Sequence, residues 1–169
     1  IPRWAGTKPY QQIPFQFSLH RLDSSSSWEH KEFLDLSGND PTRGFAEKLV
    51  EDCGSEGAIF VYNAGFESAR IKELSERFED LSCALLSLNE RMVDLHPIAK
   101  RNFYHPSQRG SWSIKYVLPA ICPDMEEAYQ SLVGVQNGTM AMDAYVAATE
   151  LGDMSPAKAE IADQLRSYC

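Results

Sequence analysis

Gly57-Ala58-Ile59-Phe60-Val61-Tyr62-Asn63-Ala64-Gly65-Phe66-Glu67 is the most informative stretch of the chain. Its first six residues form a continuous apolar run, the pattern of a strand buried on both faces. Asn63-Ala64-Gly65 ends the run, and a helix is expected next, with Phe66, Ile71, Leu74, Phe78 and Leu81 at helical spacing. A buried strand that feeds a helix belongs to an α/β domain, and open α/β sheets bind ligands at their strand ends. Glu67 falls in the helix's first turn, where the positive end of the dipole helps a carboxylate stay ionised for metal binding. The Asn63 amide can bond a backbone or a substrate phosphate without adding charge.

Upstream, Ile13, Phe15, Phe17 and Leu19 alternate with Gln16, Ser18 and His20, the period of a half-buried strand that runs to Leu22. A polar turn of Asp23 and four serines leads to a second strand from Trp28 to Leu36, so a hairpin is predicted. Asn39-Asp40-Pro41 starts a helix with Phe45, Leu49, Val50 and Cys53 as its apolar stripe, and Gly54 closes it. Downstream, Met92-Val93-Asp94-Leu95 reads as a short strand or as the entry to another helix. Ser111 or Ser113 caps a helix through Ile114, Val117 and Leu118. Met125 to Leu132 and Gly138 to Leu151 read as helical, and Ser155-Pro156 opens a last helix with Ile161, Leu165 and Tyr168 on one side. This order predicts a mixed sheet flanked by helices. The 169 residues fit a single domain.

Composition narrows the class. A hydrophobic fraction of 43% and a charged fraction of 24% are those of a soluble globular protein. A net charge of −8 argues against coating nucleic acid or anionic membrane through a global field, although it leaves room for a local basic groove. Cys53, Cys83, Cys122 and Cys169 lack zinc-site spacing, and two or three of them are expected to be small buried hydrophobes. The apolar runs fall far below the ~20 residues of a membrane span, so no membrane partner is expected. The first residues, IPRWAGTKPYQQ, lack the apolar region of a signal peptide, and the Asn137-Gly138-Thr139 sequon reads as chance. The expected compartment is the cytoplasm. The chain starts at Ile1 without an initiator Met, so it is expected to be a fragment of a longer protein.

From Leu95 to Cys122 there is no Asp or Glu, while Lys100, Arg101, Arg109 and Lys115 alternate with His96, Phe103, Tyr104, His105, Trp112 and Tyr116. Basic residues contact phosphates and aromatic rings stack on unpaired bases, the two needs of single-strand binding. The competing reading is a solvated basic helix beside a core Trp. The four histidines show no metal-ligand spacing, and no glycine-rich phosphate loop or nucleophile triad occurs.

The Asn63 to Glu67 stretch resembles the second motif of the DEDD 3′–5′ exonucleases, in which an Asn is followed by an aromatic and an acidic residue. The usual acid is Asp, and Glu67 would place the carboxylate about one methylene further out. The third motif of the tyrosine branch is Tyr, three residues, then Asp; Tyr168 stands where such a motif would begin, and equally reads as a terminal core aromatic. Pro9 to Ser18, Tyr62 to Glu67, Asp94-Leu95 and Gly110 to Pro119 occur in an order similar to a bacterial family of unknown function placed among ribonuclease-H-like nucleases.

This resemblance covers nearly the whole chain and implies a ribonuclease-H-like mixed sheet flanked by helices, missing its first strand. In that family the first strand carries Asp-x-Glu just upstream of the position of Ile1. It implies hydrolysis of phosphodiester bonds from a 3′ end with two Mg²⁺ or Mn²⁺ ions roughly 4 Å apart, which four carboxylates must hold. Glu67 would be a metal ligand, Asn63 a site-shaping residue and Tyr168 the residue that positions the attacking water. Asp94 is the next acidic candidate for the metal, or else a carboxylate that caps a helix. With one carboxylate matched directly, the chain alone is expected to be inactive. A catalytically degenerate fold that binds nucleic acid or a protein is the alternative, and an exposed sheet edge would allow a dimer by strand pairing.

Overall fold

The computed structural model describes residues 3–22, 25–124 and 134–169. Asp23 and Ser24 of the expected turn, and the expected helix from Met125 to Leu132, lie outside them. The alternating N-terminal stretch forms β1 (Gln16–Leu22), paired antiparallel with β2 (Trp28–Leu34) in a register that sets Phe17 opposite Phe33. Their rings lie 5.9 Å apart. Phe45, on α1 (Thr42–Cys53), meets both edge-on at 5.3 and 5.8 Å. The helix starts where the sequence places it, with the Asp40 side chain bonded to its first residue. Its Oδ1 accepts the N–H and hydroxyl of Thr42 at 3.0 and 2.6 Å, and its Oδ2 accepts Arg77 at 2.5 Å. Burial opposes ionisation of Asp40, but these donors outweigh it and hold the carboxyl below its usual value.

The apolar run supplies only a three-residue strand, β3 (Ile59–Val61), which pairs in parallel with β4 (Met92–Asp94). Between them lie α2 (Gly65–Arg77), a 3₁₀ turn and α3 (Ser82–Glu90). The sequence reading runs α2 on through Leu81 and misses α3, because the apolar positions continue across the break at Phe78. β4 passes directly into α4 (Leu95–Asn102), so both readings of Met92 to Leu95 hold. The chain continues with α5 (Ile114–Ile121), α6 (Gly138–Glu150) and α7 (Pro156–Tyr168). The Asn137 side chain of the sequon caps α6 by accepting the Met140 N–H at 3.0 Å.

A mixed α/β architecture is confirmed, but the expected single sheet is not. The strands form two separate two-stranded sheets, β1-β2 and β3-β4, and no ladder joins them among the described residues. Both pairs nevertheless serve one core. Phe17 and Phe33 from the hairpin, and Ile59 and Met92 from the parallel pair, pack against Phe45, Ala46, Ile71, Leu74, Leu85 and Leu88. A second cluster forms between the hairpin and the C-terminal helices, where Phe15, Leu34 and Leu36 meet Val135, Ala141, Leu165, Ile161 and Tyr168. Gln16 fixes that packing by donating to the Leu165 carbonyl at 2.8 Å.

Two further expectations fail on burial. Phe60 is 65% exposed, so β3 is covered on one face only: its other side meets no packed layer among the described residues. Cys83, Cys122 and Cys169 are exposed, so of the four cysteines only the half-buried Cys53 packs against the core. No helix among the described residues is long and apolar enough to cross a membrane.

Leu85 is fully buried in the shared core. Leu85→Ala is expected to lower stability by about 2–5 kcal/mol, the sum of lost transfer energy and the cavity left behind. Urea denaturation measures it, and a loss below ~1 kcal/mol would show that α3 does not anchor this core.

Candidate functional site

The site builds from the ends of β3 and β4. After Val61 and Tyr62 the chain must turn sharply for α2 to begin at Gly65. Asn63 makes that turn in the left-handed region (φ 68°), which Asn tolerates better than most residues. Asp94, at the end of the neighbouring strand, fixes it. Its Oδ1 accepts the N–H groups of Asn63 and His96, both at 2.9 Å, and its Oδ2 accepts that of Ala64 at 3.1 Å. One carboxylate therefore closes the β3–α2 turn and caps α4. The His96 N–H, followed by those of Asn63 and Ala64, holds the Asp94 carboxyl below the usual range despite desolvation. Of its two readings, the structure shows the helix cap. Asn63 shapes the turn through its backbone.

Glu67 lies one turn into α2, on the stripe that continues through the buried Ile71 and Leu74. Its Oε2 is shut off from solvent and has no hydrogen-bond partner among the described residues. Leaving a carboxylate oxygen in that state is costly, and side-chain atoms of Asp52, Arg70, Asn89, Arg91 and Tyr145 share it. Tyr168 is not on this stripe, since it packs on the second cluster with the hairpin and α6. Among the described residues no three His, Cys, Asp or Glu side chains are placed to hold a metal ion. With both Asp94 oxygens already accepting backbone N–H groups, the described residues by themselves do not fit a two-metal centre.

The acid-free stretch is docked against the same strand end. Tyr62 donates its hydroxyl to the Trp112 carbonyl at 2.5 Å, and its ring meets His96 edge-on at 5.4 Å. Trp112 is half-buried: its indole N–H donates to the Phe103 carbonyl, the Tyr104 ring lies 6.3 Å away, and the Lys100 ammonium sits 5.9 Å from its ring. Trp112 is thus a strut with an occupied face. Buried Gln108 braces the following loop by accepting the His105 N–H and donating to the Ser111 carbonyl. Arg109 stands at its tip in the left-handed region (φ 50°). Lys100, Arg101, Arg109 and Lys115 are all exposed, and none forms an ion pair among the described residues. Seven other cations, including Arg43, Arg77 and Arg166, are paired.

Sequence reasoning missed one feature. Phe60, Val61, Tyr62, Leu95, Ile114, Val117 and Leu118 line an open apolar groove of about 320 Å³. Reading the β3 run as buried on both faces concealed it. No local signal marks it, because an apolar run reads alike whether its second face meets a helix or solvent.

The fold and this strand end define a mixed α/β domain with a basic, aromatic surface beside a parallel strand pair. Residues 1–113 match a family described as a domain of unknown function, DUF2779, and the chain belongs to that family. The match spans the hairpin, the β3–α2 turn, Glu67, Asp94 and the basic stretch as far as Ser113. No curated protein and no solved structure matches the chain.

Asp94→Asn should lower the urea midpoint at pH 7 by weakening three charge-assisted bonds at once. Because the folded carboxyl titrates below its unfolded value of about 3.9, the native contribution is complete above that pH and is lost as pH falls through the folded value. The midpoints of native protein and variant are therefore expected to converge below about pH 4. A gap that persists there would assign the effect to geometry rather than charge.

Proposed function

We propose that this chain binds single-stranded nucleic acid, as part of a ribonuclease-H-like domain of the 3′–5′ exonuclease type. One observation carries the binding reading. In a chain of net charge −8, four exposed cations without ion pairs gather with Tyr104 and Trp112 in an acid-free stretch beside a strand end. Cations held free of carboxylates are available to phosphates, and each phosphate engaged releases counterions. The ribonuclease-H-like assignment is supported by the element order hairpin, helix, parallel pair. The two strand pairs share one core, and among the described residues no ladder joins them. The resemblance places Asp-x-Glu on a first strand upstream of Ile1. On the same reading the protein works in the cytoplasm, in keeping with four cysteines that are all free.

Fluorescence anisotropy with labelled single-stranded DNA and RNA tests this at several salt concentrations. Binding is expected to weaken with salt. Replacing Lys100, Arg101, Arg109 and Lys115 by Ala should flatten the log–log slope by about 0.7 for each phosphate no longer neutralised. Equal salt slopes for native protein and the fourfold variant would reject the surface.

Hydrolysis is a second reading, favoured by the partnerless Glu67 Oε2 alone. It requires further carboxylates opposite Glu67, supplied from outside the described residues. End-labelled strands incubated with Mn²⁺ and a gene product extended on both sides should ladder from the 3′ end, and Glu67→Ala should abolish the ladder. Equal cleavage by both proteins would remove Glu67 from the chemistry.

A further inference from the structure

Toward its turn, the hairpin carries two histidines that neither core engages. The register of β1 and β2 sets His20 directly opposite His30. Their rings lie 4.9 Å apart at an interplanar angle of 29°, and both side chains are exposed. Ten positions separate them in sequence, so no ligand spacing within one segment announces the pair. Side chains alternate along a strand, which turns these rings away from the face on which Phe17 and Phe33 enter the core.

Their neighbour on the same face is Ser18, whose Oγ lies 2.9 Å from His30 Nε2. When Nε2–H donates to this hydroxyl, the lone pair of the ring is left on Nδ1. An oxygen on one imidazole nitrogen that fixes tautomer and ring direction is the usual support of a metal-ligating histidine. An imidazole nitrogen holds a divalent transition ion at about 2.0–2.1 Å, so two nitrogens sharing one ion stand no more than ~4.2 Å apart. Rings already 4.9 Å apart between centres reach that by turning about their side-chain torsions.

We propose that His20 and His30 together bind one divalent ion of the Ni²⁺, Cu²⁺ and Zn²⁺ class, with Ser18 as a positioning residue. Neutral imidazole suits these ions, whereas Mg²⁺ and Ca²⁺ take oxygen ligands. Among the described residues no third His, Cys, Asp or Glu completes a cluster, so water fills the remaining positions. Glu32, opposite Ser18, is held by Arg166 at 3.1 Å. The ion ties β1 to β2 at the end of the hairpin that the core does not reach. Leu22 and Trp28, the next pair on that face, are 51% and 68% exposed. An ion that binds only the paired strands stabilises them by mass action. The site stands apart from Asp94, Glu67 and the basic stretch, and does not depend on the nucleic-acid reading.

Isothermal titration with Ni²⁺ tests this at about pH 7.5, where an ordinary imidazole is largely unprotonated. Native protein is expected to bind one ion per chain, to give no comparable signal with Mg²⁺, and to raise its urea midpoint as Ni²⁺ increases. His20→Ala and His30→Ala, both at exposed positions, should each abolish the binding and the rise. Ser18→Ala should weaken the affinity about 10- to 100-fold, the range for an outer partner of a ligating histidine. His105→Ala should change neither, since His105 Nδ1 is engaged by Ser107. Circular dichroism checks that each variant folds. No Ni²⁺ binding by native protein overturns the site. Binding that persists in either hairpin variant also overturns it and moves the ion to the exposed cysteines. An affinity unmoved by Ser18→Ala overturns the positioning role.

Discussion

The Asp94 carboxylate holds three backbone N–H groups from the two segments that leave the ends of β3 and β4. β3 and β4 are three residues each, and parallel ladders are slightly less stable per residue than antiparallel ones. Such a pair cannot by itself fix where the chain goes next. The carboxylate does so on both sides. It pins the left-handed Asn63 and so sets the start of α2, which decides where Glu67 points. It also caps α4 and so sets the start of the stretch that carries Lys100, Arg101 and Trp112. Charge-assisted bonds are roughly twice as strong as neutral ones, and three on one group act together. The setting of Glu67, the basic surface and the apolar groove all hang from this tie.

Around it, the fold stabilises two short strand pairs by packing. A lone two-stranded hairpin is marginal in water, and β1-β2 is held because its end away from the turn packs on both sides. Phe17 and Phe33 serve the core built by α1, α2 and α3, while Phe15 and Leu34 serve the cluster beneath α6 and α7. The parallel pair has only one such partner layer among the described residues. Ile59 and Met92 face the shared core, and the opposite side carries Phe60 into the groove. The asymmetry between the two pairs therefore creates the exposed apolar surface. Among the described residues each strand also keeps one edge without a ladder, a state that proteins normally cover or pair.

Most elements were legible because their signals are local. Alternation gave the hairpin, Asn39-Asp40-Pro41 and Gly54 bracketed α1, and Ser155-Pro156 opened α7. What the sequence hid depends on partners that are distant in the chain. An apolar run looks the same whether its second face meets a helix or solvent, so Phe60 was assigned to the interior. The break between α2 and α3 lies at Phe78, a hydrophobic residue that preserves the helical spacing. Trp112 was legible as an aromatic among cations, but its covered face depends on Lys100, twelve positions earlier. Asp94 stood out only as an acid at the head of a helix. Its bonds to Asn63 and Ala64 span about thirty residues, and no pattern within one segment announces them.

The charge distribution shapes what kind of ligand this surface can hold. Exposed charges are screened beyond ~8 Å at physiological ionic strength, so the net −8 acts only weakly at any one point of the surface. Seven cations are tied to carboxylates, and the other nine of the sixteen, the four from Lys100 to Lys115 among them, form no ion pair among the described residues. Sequence spacing decides much of this. Helices α1, α2 and α7 carry acids three or four positions from Arg43, Lys48, Arg70 and Arg166, the spacing at which helical side chains meet. From Leu95 to Cys122 no Asp or Glu stands at that distance, so the four cations there have no helical carboxylate to pair with. On the binding reading proposed above, four such cations would supply a modest and salt-sensitive affinity.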